Sequence, residues 1–488
     1  MSSITGQNPA VYYNYIGGEW TESSSGELLE SRNPATGEWI AYSQKSAVQD
    51  IEQSIDAVYE TYHAGDWGYN PQRRYDALLG LAQLIERDLE KLARLLTMEQ
   101  GKTIRESRQE LGGCVDTLKY FAGAARTVFG RSVTLTPANF GVIAKEPIGV
   151  VGIISPWNWP ALLMIRELAP ALAAGNGVIV KPASLTPAIS VELFKLIDEV
   201  THFPKGIVSI VTGPGKSIGA AMGMSRKIDM ISFTGDTSTG KSIMEMATSN
   251  IKKLALELGG KSPNVVFGDA DLEKAIPVIG RSIFISAGQI CMAGSRLLVH
   301  ESVHDKVING LLRYAENLRI GNGLLESTDM GPLVSRSQLD LVSEYVEIGR
   351  REGKLITGGS RLTGGEFDKG YFFEPTIIDE LSSNSRVVQE EIFGPVLAVQ
   401  SFSDEKEALA LANETDFGLS AGVWTSDLNR AMRMTRGIRA GTVWINTYNK
   451  NFPEAEFGGY KMSGQGRTRG VDGLMEYCET KHIHFEVD

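Results

Sequence analysis

The run IGVVGIIS at residues 148–155 is a short and nearly continuous apolar segment, rich in β-branched residues. Three similar runs follow it along the chain: NGVIVKP (176–182), GIVSIVTG (206–213) and DMISFTG (229–235). Helix-like stretches separate the runs, at residues 161–174, 187–199 and 217–224. Strands that are apolar throughout and alternate with helices are typical of a parallel, doubly wound sheet covered on both faces. The sequence therefore predicts an α/β fold.

The same alternation resumes after Gly259, where strands are predicted at NVVFG, SRLLVH, PVLAVQSF, AGVWTS and GTVWIN. Near the start of the chain, apolar residues at three- and four-residue spacing predict an amphipathic helix over residues 77–94. No fixed-period repeat or low-complexity linker separates the two alternating regions. We therefore expect domains whose chain segments interleave.

Composition narrows the class of protein. The formal charge of −11 argues against a nucleic-acid or anionic-membrane partner. The N-terminal MSSITGQNPA lacks the basic and apolar regions of a secretory signal, and no uncharged apolar run reaches the roughly 18 residues of a membrane span. Cys114, Cys291 and Cys478 form no C-x-x-C pair, and the six histidines show no zinc-ligand spacing. We expect a cytoplasmic protein without a metal site.

The segment FTGDTSTGKS (233–242) has the G-x-x-x-x-G-K-S spacing of a Walker A loop, which would make the chain a P-loop NTPase. It lies between a predicted strand and a predicted helix, as a phosphate-binding loop requires. A dinucleotide pyrophosphate could use the same turn without the lysine or a magnesium ion. Alternatively, Lys241 and Ser242 are only the first exposed turn of a helix.

A second motif, GKSIG (215–219), has the G-x-S-x-G spacing of a hydrolase nucleophile elbow. The chain contains 53 glycines, so this pattern arises easily by chance. A glycine-rich turn close to a cofactor is the interpretation we prefer.

A third candidate is SAGQICMAGSR (286–296), centred on Cys291. A lone cysteine is more often a small buried hydrophobe than a nucleophile. Three other segments change this interpretation: ISPWNWP places Asn158 just beyond a strand, LELGGKSPN places Glu257 before a double glycine, and QEEIFGPV places Glu391 before a turn. With these segments, and with NYIGGEW, NPATGEWI and FGGYKMSGQGR, the chain closely resembles the aldehyde dehydrogenase superfamily over nearly its whole length.

The resemblance implies a hydrolytic, NAD(P)-dependent oxidoreductase that converts an aldehyde to a carboxylic acid. The Cys291 thiolate would attack the aldehyde carbon to form a thiohemiacetal, which is oxidised to a thioester. The side-chain amide of Asn158 and the backbone N–H of Cys291 would form the oxyanion hole. Glu257 would be the general base for the hydrolytic water.

The resemblance also implies a site for NAD and/or NADP. Lys181 would bind the adenosine ribose and Glu391 the nicotinamide ribose, and the FTGDTSTG turn would face the pyrophosphate. On this interpretation the match to Walker A is a coincidence. Asp236 replaces the small hydroxyl residue common in the family, and we expect its carboxylate to point away. The expected cofactor-binding residues are Ile154, Ser155, Pro156, Trp157, Lys181, Ser184, Gly215, Phe233, Gly235, Asp236, Leu258, Gly259, Glu391 and Phe393.

Ser184 bears on the choice between the two cofactors. Many NAD-preferring relatives have a glutamate three residues after the lysine, whose carboxylate accepts both ribose hydroxyls and repels a 2′-phosphate. Ser184 removes both effects, and Lys181 and Lys216 could attract the phosphate. We expect activity with both NAD and NADP, unless Ser184 only caps the helix that starts near Pro187.

The family fold implies three parts: a Rossmann-like dinucleotide-binding domain (1–124 and 148–258), an α/β catalytic domain (259–457) and a small β oligomerisation arm (125–147 and 470–488). The C-terminal KHIHFEV alternates like an edge strand, and an exposed edge invites pairing with another subunit. We expect a homodimer or a homotetramer.

The substrate is expected to be a medium-chain or aromatic aldehyde, because Ile290 and Met292 flank the nucleophile. The alternative is an acid semialdehyde whose carboxylate is held by Arg166. Relatives of that kind usually have a second arginine six residues before the nucleophile, where this chain has isoleucine; Lys450 could supply the missing charge. Phe457 completes the expected substrate site. CoA-acylating enzymes usually lack the general base and structural relatives can lose the nucleophile, but Glu257 and Cys291 are both present.

Overall fold

The structure is a computed structural model that describes residues 9–487. The strands are β1 (Ala10–Tyr12), β2 (Asn14–Ile16), β3 (Glu19–Thr21), β4 (Leu28–Arg32), β5 (Trp39–Gln44), β6 (Arg131–Thr136), β7 (Asn139–Pro147), β8 (Val150–Ile154), β9 (Gly177–Lys181), β10 (Val208–Ile210), β11 (Met230–Thr234), β12 (Lys253–Glu257), β13 (Pro263–Val266), β14 (Arg296–His300), β15 (Lys354–Thr357), β16 (Thr376–Asp379), β17 (Val396–Phe402), β18 (Phe417–Gly418), β19 (Ser420–Trp424), β20 (Thr442–Ile445), β21 (Tyr460–Lys461), β22 (Gly464–Gln465) and β23 (Cys478–Glu486).

The helices are α1 (Val48–Ala64), α2 (Pro71–Arg87), α3 (Leu89–Gln100), α4 (Ile104–Ala125), α5 (Pro160–Ala174), α6 (Pro187–Glu199), α7 (Ala220–Met224), α8 (Thr237–Ala247), α9 (Leu272–Phe284), α10 (His304–Glu316), α11 (Arg336–Glu352), α12 (Arg386–Gln389), α13 (Glu405–Asn413), α14 (Leu428–Gly437) and α15 (Gly470–Met475).

The first sheet has eight strands in the order β22-β12-β11-β8-β9-β10-β2-β3. Its five central strands are parallel, and β8 lies between β9 and β11. The chain runs outward from β8 in one direction through β9 and β10, and in the other through β11 and β12. The strand order therefore reverses beside β8, and a doubly wound sheet binds its ligand at such a reversal. The predicted α/β fold and its parallel sheet are confirmed.

The second sheet has seven strands in the order β15-β16-β17-β14-β13-β19-β20, parallel except for β15. It contains the five strands predicted after Gly259. Two smaller sheets have three strands each, in the orders β1-β5-β4 and β23-β7-β6. In the latter, β23 pairs antiparallel with β7 along nine residues, and β23 and β6 are its two edges.

The helix predicted over residues 77–94 is two helices, α2 and α3, which meet at Asp88. Asp88 is the C-cap of α2, with φ −103° and ψ 13°, and its side chain pairs with Arg87. The backbone of Asp88 leaves the helical conformation, so the helix is broken at a point where the apolar periodicity of the sequence continues. The helix predicted from residue 217 is also shorter, because residues 215–219 form a wide turn before α7. Within the expected arm, α15 packs against α4 and α5.

Candidate active site

The register of the first sheet brings the predicted residues to one edge. Ile154 lies beside Lys181 on one side and Phe233 on the other, and Thr234 pairs with Glu257. Because these strands are parallel, the segments that follow them, including Asn158, leave the sheet at the same place. The strand reversal beside β8 thus lies next to Glu257.

Cys291 lies on a tightly folded loop that follows α9. Ser286 and Ala287 have left-handed backbone angles (φ 51° and 52°), and Gly288 has φ 74°. A Cβ atom at Gly288 would lie 2.0 Å from the carbonyl oxygen of Gly394, so only glycine allows the loop this close to the segment after Glu391. The loop is held against that segment, and Cys291 follows three residues later.

Gln289 fixes the loop from inside. Its side chain donates to the Ser286 carbonyl at 2.9 Å and accepts from the Val334 N–H at 2.9 Å. Its own carbonyl accepts a hydrogen bond from the Asn158 side-chain amide at 3.0 Å. Asn158 and Cys291 line the same cavity, and no backbone carbonyl accepts the Cys291 N–H within residues 9–487. The Cys291 N–H and the second N–H of the Asn158 amide therefore have no acceptor among the described residues.

Burial sets the protonation states of the two central groups. It raises the pKa of the Cys291 thiol to about 12, an effect that nearby Arg166 opposes and that Glu257 and Glu391 reinforce. It also raises the pKa of the Glu257 carboxyl to about 7, and Arg166 again acts in the opposite direction. In the part of the chain that the structure describes, Glu257 Oε1 has no hydrogen-bond partner. A carboxyl group with a pKa near neutrality and a free oxygen suits a general base.

Glu391 lies against the double glycine after β12. Its Oε1 accepts from the Gly260 N–H at 3.0 Å, and burial raises its pKa to about 7. A Cβ atom at Gly259 would lie 2.1 Å from Glu391 Oε2. Glycine at position 259 therefore leaves the space that the Glu391 carboxylate occupies.

Several of the predicted dinucleotide residues lie at the carboxyl ends of β8 and β9, beside the point where the strand order reverses. The rings of Trp157 and Phe393 pack edge to face, with 5.3 Å between their centroids. The buried Ser155 hydroxyl has no hydrogen-bond partner among the described residues. Burial lowers the pKa of Lys181 to about 8. A Cβ atom at Gly215 would lie 3.8 Å from Lys181 Nζ. An unpaired hydroxyl, a buried amine beside glycine and aromatic walls fit a nucleotide with ribose and ring components.

Ser184 does not cap α6. The N-cap residue of that helix is Thr186, and the Ser184 hydroxyl donates to the Gly213 carbonyl at 2.9 Å. Its proton is thereby engaged within the protein, while its side chain remains partly exposed.

Asp236 is the N-cap of α8. Its carboxylate accepts from the Thr239 N–H at 3.0 Å and from the hydroxyls of Ser238 and Thr239 at 2.6 and 2.7 Å. A carboxylate at this helix start takes the place that a Walker A loop gives to a phosphate. Lys241 is exposed. The arrangement is a capped helix, which disagrees with an NTPase.

The GKSIG turn also has a local explanation. The Ser217 hydroxyl donates to the Pro214 carbonyl at 3.3 Å inside the wide turn before α7. It makes no hydrogen bond to a histidine anywhere in the described chain.

A cavity of about 370 Å³ opens at Cys291. Its apolar wall is formed by Trp159, Leu162, Leu163, Ile285, Ile290 and Met292. Charged groups also line it: the guanidinium groups of Arg166 and Arg469, which are buried, and the carboxylate of Asp116, which is exposed. The cavity thus combines an apolar wall with buried positive charge.

The guanidinium of Arg166 is hydrogen-bonded to other residues of the protein. Its Nε donates to Glu167 at 2.8 Å and its Nη2 donates to the Thr234 hydroxyl at 3.1 Å. Phe457 is buried behind the cavity wall, with its ring 5.8 Å from the guanidinium carbons of both Arg166 and Arg469. Lys450 is exposed and lies outside the cavity lining, although Asn449 and Asn451 on either side line it.

Arg469 is a site residue that the sequence analysis missed. It lines the cavity with 9% of its surface exposed, and its guanidinium forms no ion pair or hydrogen bond with any residue from 9 to 487. Its backbone has φ 63° and ψ 178°, a region almost restricted to glycine. Residues in such a conformation cluster at functional sites. The only signal in the sequence was a pair of arginines between glycines, GRTRG.

Within residues 9–487 there is no group of three or more His, Cys, Asp or Glu side chains suited to a metal ion. The described part of the chain also contains no helix long and apolar enough to cross a membrane.

Comparisons with known proteins identify the family of the chain. The model of the aldehyde dehydrogenase family matches residues 20–483. Betaine aldehyde dehydrogenase of Bacillus subtilis (strain 168) is 43% identical over 96% of this chain and 96% of its own length. Retinaldehyde dehydrogenase 3 of Homo sapiens is 40% identical over 96% of this chain and 92% of its own length.

Among solved structures, betaine aldehyde dehydrogenase from Staphylococcus aureus in complex with NAD+ superimposes with a TM-score of 0.96 at 38% identity, covering 98% of this chain and 95% of that one. A match of the family model over nearly the whole chain, with relatives of this similarity, confirms the resemblance found in the sequence. The chain is an oxidoreductase of the aldehyde dehydrogenase family.

Proposed function

We propose that this enzyme oxidises an aldehyde that carries a carboxylate at its other end, with NAD+ or NADP+ as the oxidant. The observation that carries the proposal is Arg469, a buried and unpaired cation on the wall of the cavity that also holds Cys291. Burial lowers the pKa of Arg469 to about 10, which shows that its charge is poorly solvated, and an anionic ligand would stabilise that charge.

Three side chains would carry the catalytic roles. The Cys291 sulfur, once deprotonated, bonds to the aldehyde carbon and the carbonyl oxygen becomes an oxyanion. The Asn158 amide and the Cys291 N–H would stabilise that charge. After oxidation to the thioester, Glu257 accepts a proton from water, the hydroxide attacks the acyl carbon, and the C–S bond breaks to release the acid and the thiolate.

The crevice beside β8 would hold the dinucleotide. When bound, NAD(P)+ supplies the acceptor for the hydride that leaves the substrate carbon. Lys181 and Ser184 would contact the adenosine end, Trp157 and Ser155 the middle of the crevice, and Glu391 the nicotinamide ribose. The structures of Staphylococcus aureus betaine aldehyde dehydrogenase in complex with NAD+ support this assignment by their similarity to the present fold.

Charge in the cavity argues against a cationic substrate. Betaine aldehyde, named in several relatives, carries a trimethylammonium group. In this chain the charge of Arg166 is paired with Glu167, and Arg469 is the buried cation of the cavity lining that has no ion pair among residues 9–487; the exposed Asp116 is screened by solvent. The buried positive charge would repel a cation close to Cys291.

A second candidate substrate is the uncharged medium-chain or aromatic aldehyde predicted from the sequence. The apolar wall of Trp159, Leu162, Leu163, Ile285, Ile290 and Met292 favours it. The two candidates differ only in what faces Arg469, so one experiment separates them.

The test uses three aromatic aldehydes of similar shape: 4-formylbenzoate, 4-formylbenzamide and (4-formylphenyl)trimethylammonium. With the wild-type enzyme, kcat/KM is expected to be highest for the carboxylate and lowest for the cation. Arg469→Met should lower kcat/KM for the carboxylate by about 10- to 100-fold relative to the amide, since a hydrogen bond to a charged group contributes ~1.5–3 kcal/mol.

Arg467→Met is the matched control. Arg467 is two residues away, donates to the carbonyls of Gly459 and Gly466, and does not line the cavity. This variant should leave the ratio between carboxylate and amide unchanged. A wild-type preference for the amide would favour the second candidate, and a preference for the cation would exclude the role of Arg469.

The location of the enzyme is inferred from its thiols. Cys114, Cys291 and Cys478 are all free, and two of them are buried. Unpaired cysteines suit a reducing compartment, so we propose that the enzyme acts in the cytoplasm.

A further inference from the structure

Lys102 and Glu110 form an ion pair that none of the proposed chemical steps uses. Both side chains are completely buried, and Lys102 Nζ donates to Glu110 Oε2 at 2.5 Å. Burial lowers the pKa of Lys102 and raises that of Glu110, and the attraction between them opposes both shifts. Removing two charges from water is unfavourable unless their other hydrogen bonds are satisfied. The remaining partners of this pair therefore indicate what it holds in place.

Those partners belong to the segment that carries Asn158. Lys102 Nζ donates to the backbone carbonyl of Asn158 at 2.7 Å and lies 4.0 Å from the centre of the Trp159 ring. Glu110 Oε1 accepts from the N–H groups of Ala161 and Leu162, at 2.9 and 3.1 Å, in the first turn of α5. The ion pair thus holds the segment from 158 to 162 by a carbonyl at one end and two amides at the other.

Glu106, one helical turn before Glu110, contacts the loop that carries the nucleophile. Its Oε1 accepts from the Ser286 N–H at 2.6 Å and from the Ser286 hydroxyl at 3.2 Å. The same loop contains Gln289, whose carbonyl accepts the hydrogen bond from the Asn158 side chain. The first two turns of α4 therefore form hydrogen bonds both to the segment that carries Asn158 and to the loop that carries Cys291.

We propose that Lys102 and Glu110 are positioning residues that hold the side-chain amide of Asn158 where the oxyanion forms, while Glu106 holds the Cys291 loop in register with it. An oxyanion donor acts only when it is held in place before the reaction. Asn158 lies outside any helix or strand, so its backbone needs an external support. This inference rests on the oxyanion role proposed above for Asn158.

The test is a double-mutant cycle with Lys102→Met and Asn158→Ala, measured as kcat and KM for a good aldehyde substrate. Asn158→Ala is expected to lower kcat by about 100-fold or more. Lys102→Met is expected to lower kcat about tenfold, with a smaller change in KM for NAD(P). If Lys102 acts through Asn158, adding Lys102→Met to Asn158→Ala should change kcat by less than twofold.

Two further variants keep the test independent of folding defects. Glu110→Gln retains an oxygen for the amides of Ala161 and Leu162, and in combination with Lys102→Met it leaves no unpaired buried charge. The combined variant should show the same dependence on Asn158. Lys252→Met is the control: Lys252 is a buried lysine that donates to the carbonyls of Gly223 and Ser225, remote from Cys291, and its loss should lower Tm without changing kcat.

The outcomes separate the two proposals. If Asn158→Ala leaves kcat unchanged, the oxyanion role itself is wrong. If Asn158→Ala lowers kcat and Lys102→Met lowers it by the same factor in both backgrounds, the positioning role is overturned while the oxyanion role stands. An unchanged kcat in Lys102→Met and in the combined variant would also overturn it.

Discussion

Glu257 ends β12 with its carboxyl group buried, and burial raises its pKa from 4.5 to about 7. A general base works only in its deprotonated form, so hydrolysis of the thioester should slow as the pH falls below about 7. We expect kcat to fall about tenfold per pH unit on that side when hydrolysis is rate-limiting.

Glu257→Gln should have a low kcat at every pH, and its pH profile should lack the acidic limb, which is the fall of kcat below about pH 7. Glu391→Gln is the matched control, because the Glu391 carboxyl also has a pKa of about 7 but is proposed to bind ribose. That variant should retain the limb. An acidic limb that persisted in Glu257→Gln and vanished in Glu391→Gln would exchange the two roles.

Ser184 provides the test of cofactor preference. We expect the wild type to use both NAD+ and NADP+, because no carboxylate at this position repels a 2′-phosphate. Ser184→Glu should shift the ratio of the two kcat/KM values toward NAD+ by roughly tenfold or more, equivalent to ~1.4 kcal/mol.

Ser184→Ala should change that ratio little, since the Ser184 proton is already donated to Gly213. The measurement is the initial rate of NADH or NADPH formation at 340 nm. Strict NAD+ specificity in the wild type, unaltered by Ser184→Glu, would show that this position does not select the cofactor.

At the scale of elements, the buried strands were the most predictable part of the molecule. The runs at 148–155 and 176–182 contain β8 and β9, because a strand covered on both faces is apolar throughout and ends where polar residues begin. The predicted bounds of α6, 187–199, coincide with those observed. Proline at its first position marks the start.

Elements set by polar contacts were less predictable. The break at Asp88 interrupts a helical pattern whose apolar spacing continues on both sides. The two-residue strand β22 is too short to leave a periodic signal. Arg469 is buried and has a backbone conformation that arginine rarely adopts, whereas charge alone predicts exposure. The segments of Cys291, Glu257 and Asn158 were found because a resemblance joined distant motifs that no local pattern connects.

At the scale of the whole molecule, we propose that the sheet β23-β7-β6 is the contact through which a homodimer or homotetramer assembles. Its edge strands carry exposed apolar side chains: Val133, Leu135, Ile483 and Phe485. An exposed sheet edge with apolar residues favours pairing with a second chain. A chain ending at Tyr477 lacks β23 but keeps the Tyr477 hydroxyl that donates to Glu167 at 2.7 Å. It should run as a monomer in size-exclusion chromatography with light scattering.

The control for the oligomer is Leu428→Asp, which removes an exposed apolar side chain from α14 instead. That variant should assemble like the wild type. A chain ending at Tyr477 that remained dimeric or tetrameric would place the subunit contact elsewhere.

The order in which the chain supplies its strands has a consequence for biosynthesis. β22 covers the edge of the first sheet at β12, where Gly464 pairs with Glu257, yet it is made only after every strand of the second sheet. A ribosome delivers the chain from its N-terminus, so in the nascent first sheet β12, which ends at Glu257, stays uncovered at this edge until residue 464 has been made. We expect a polypeptide released before residue 464 to lack that cover and to be inactive.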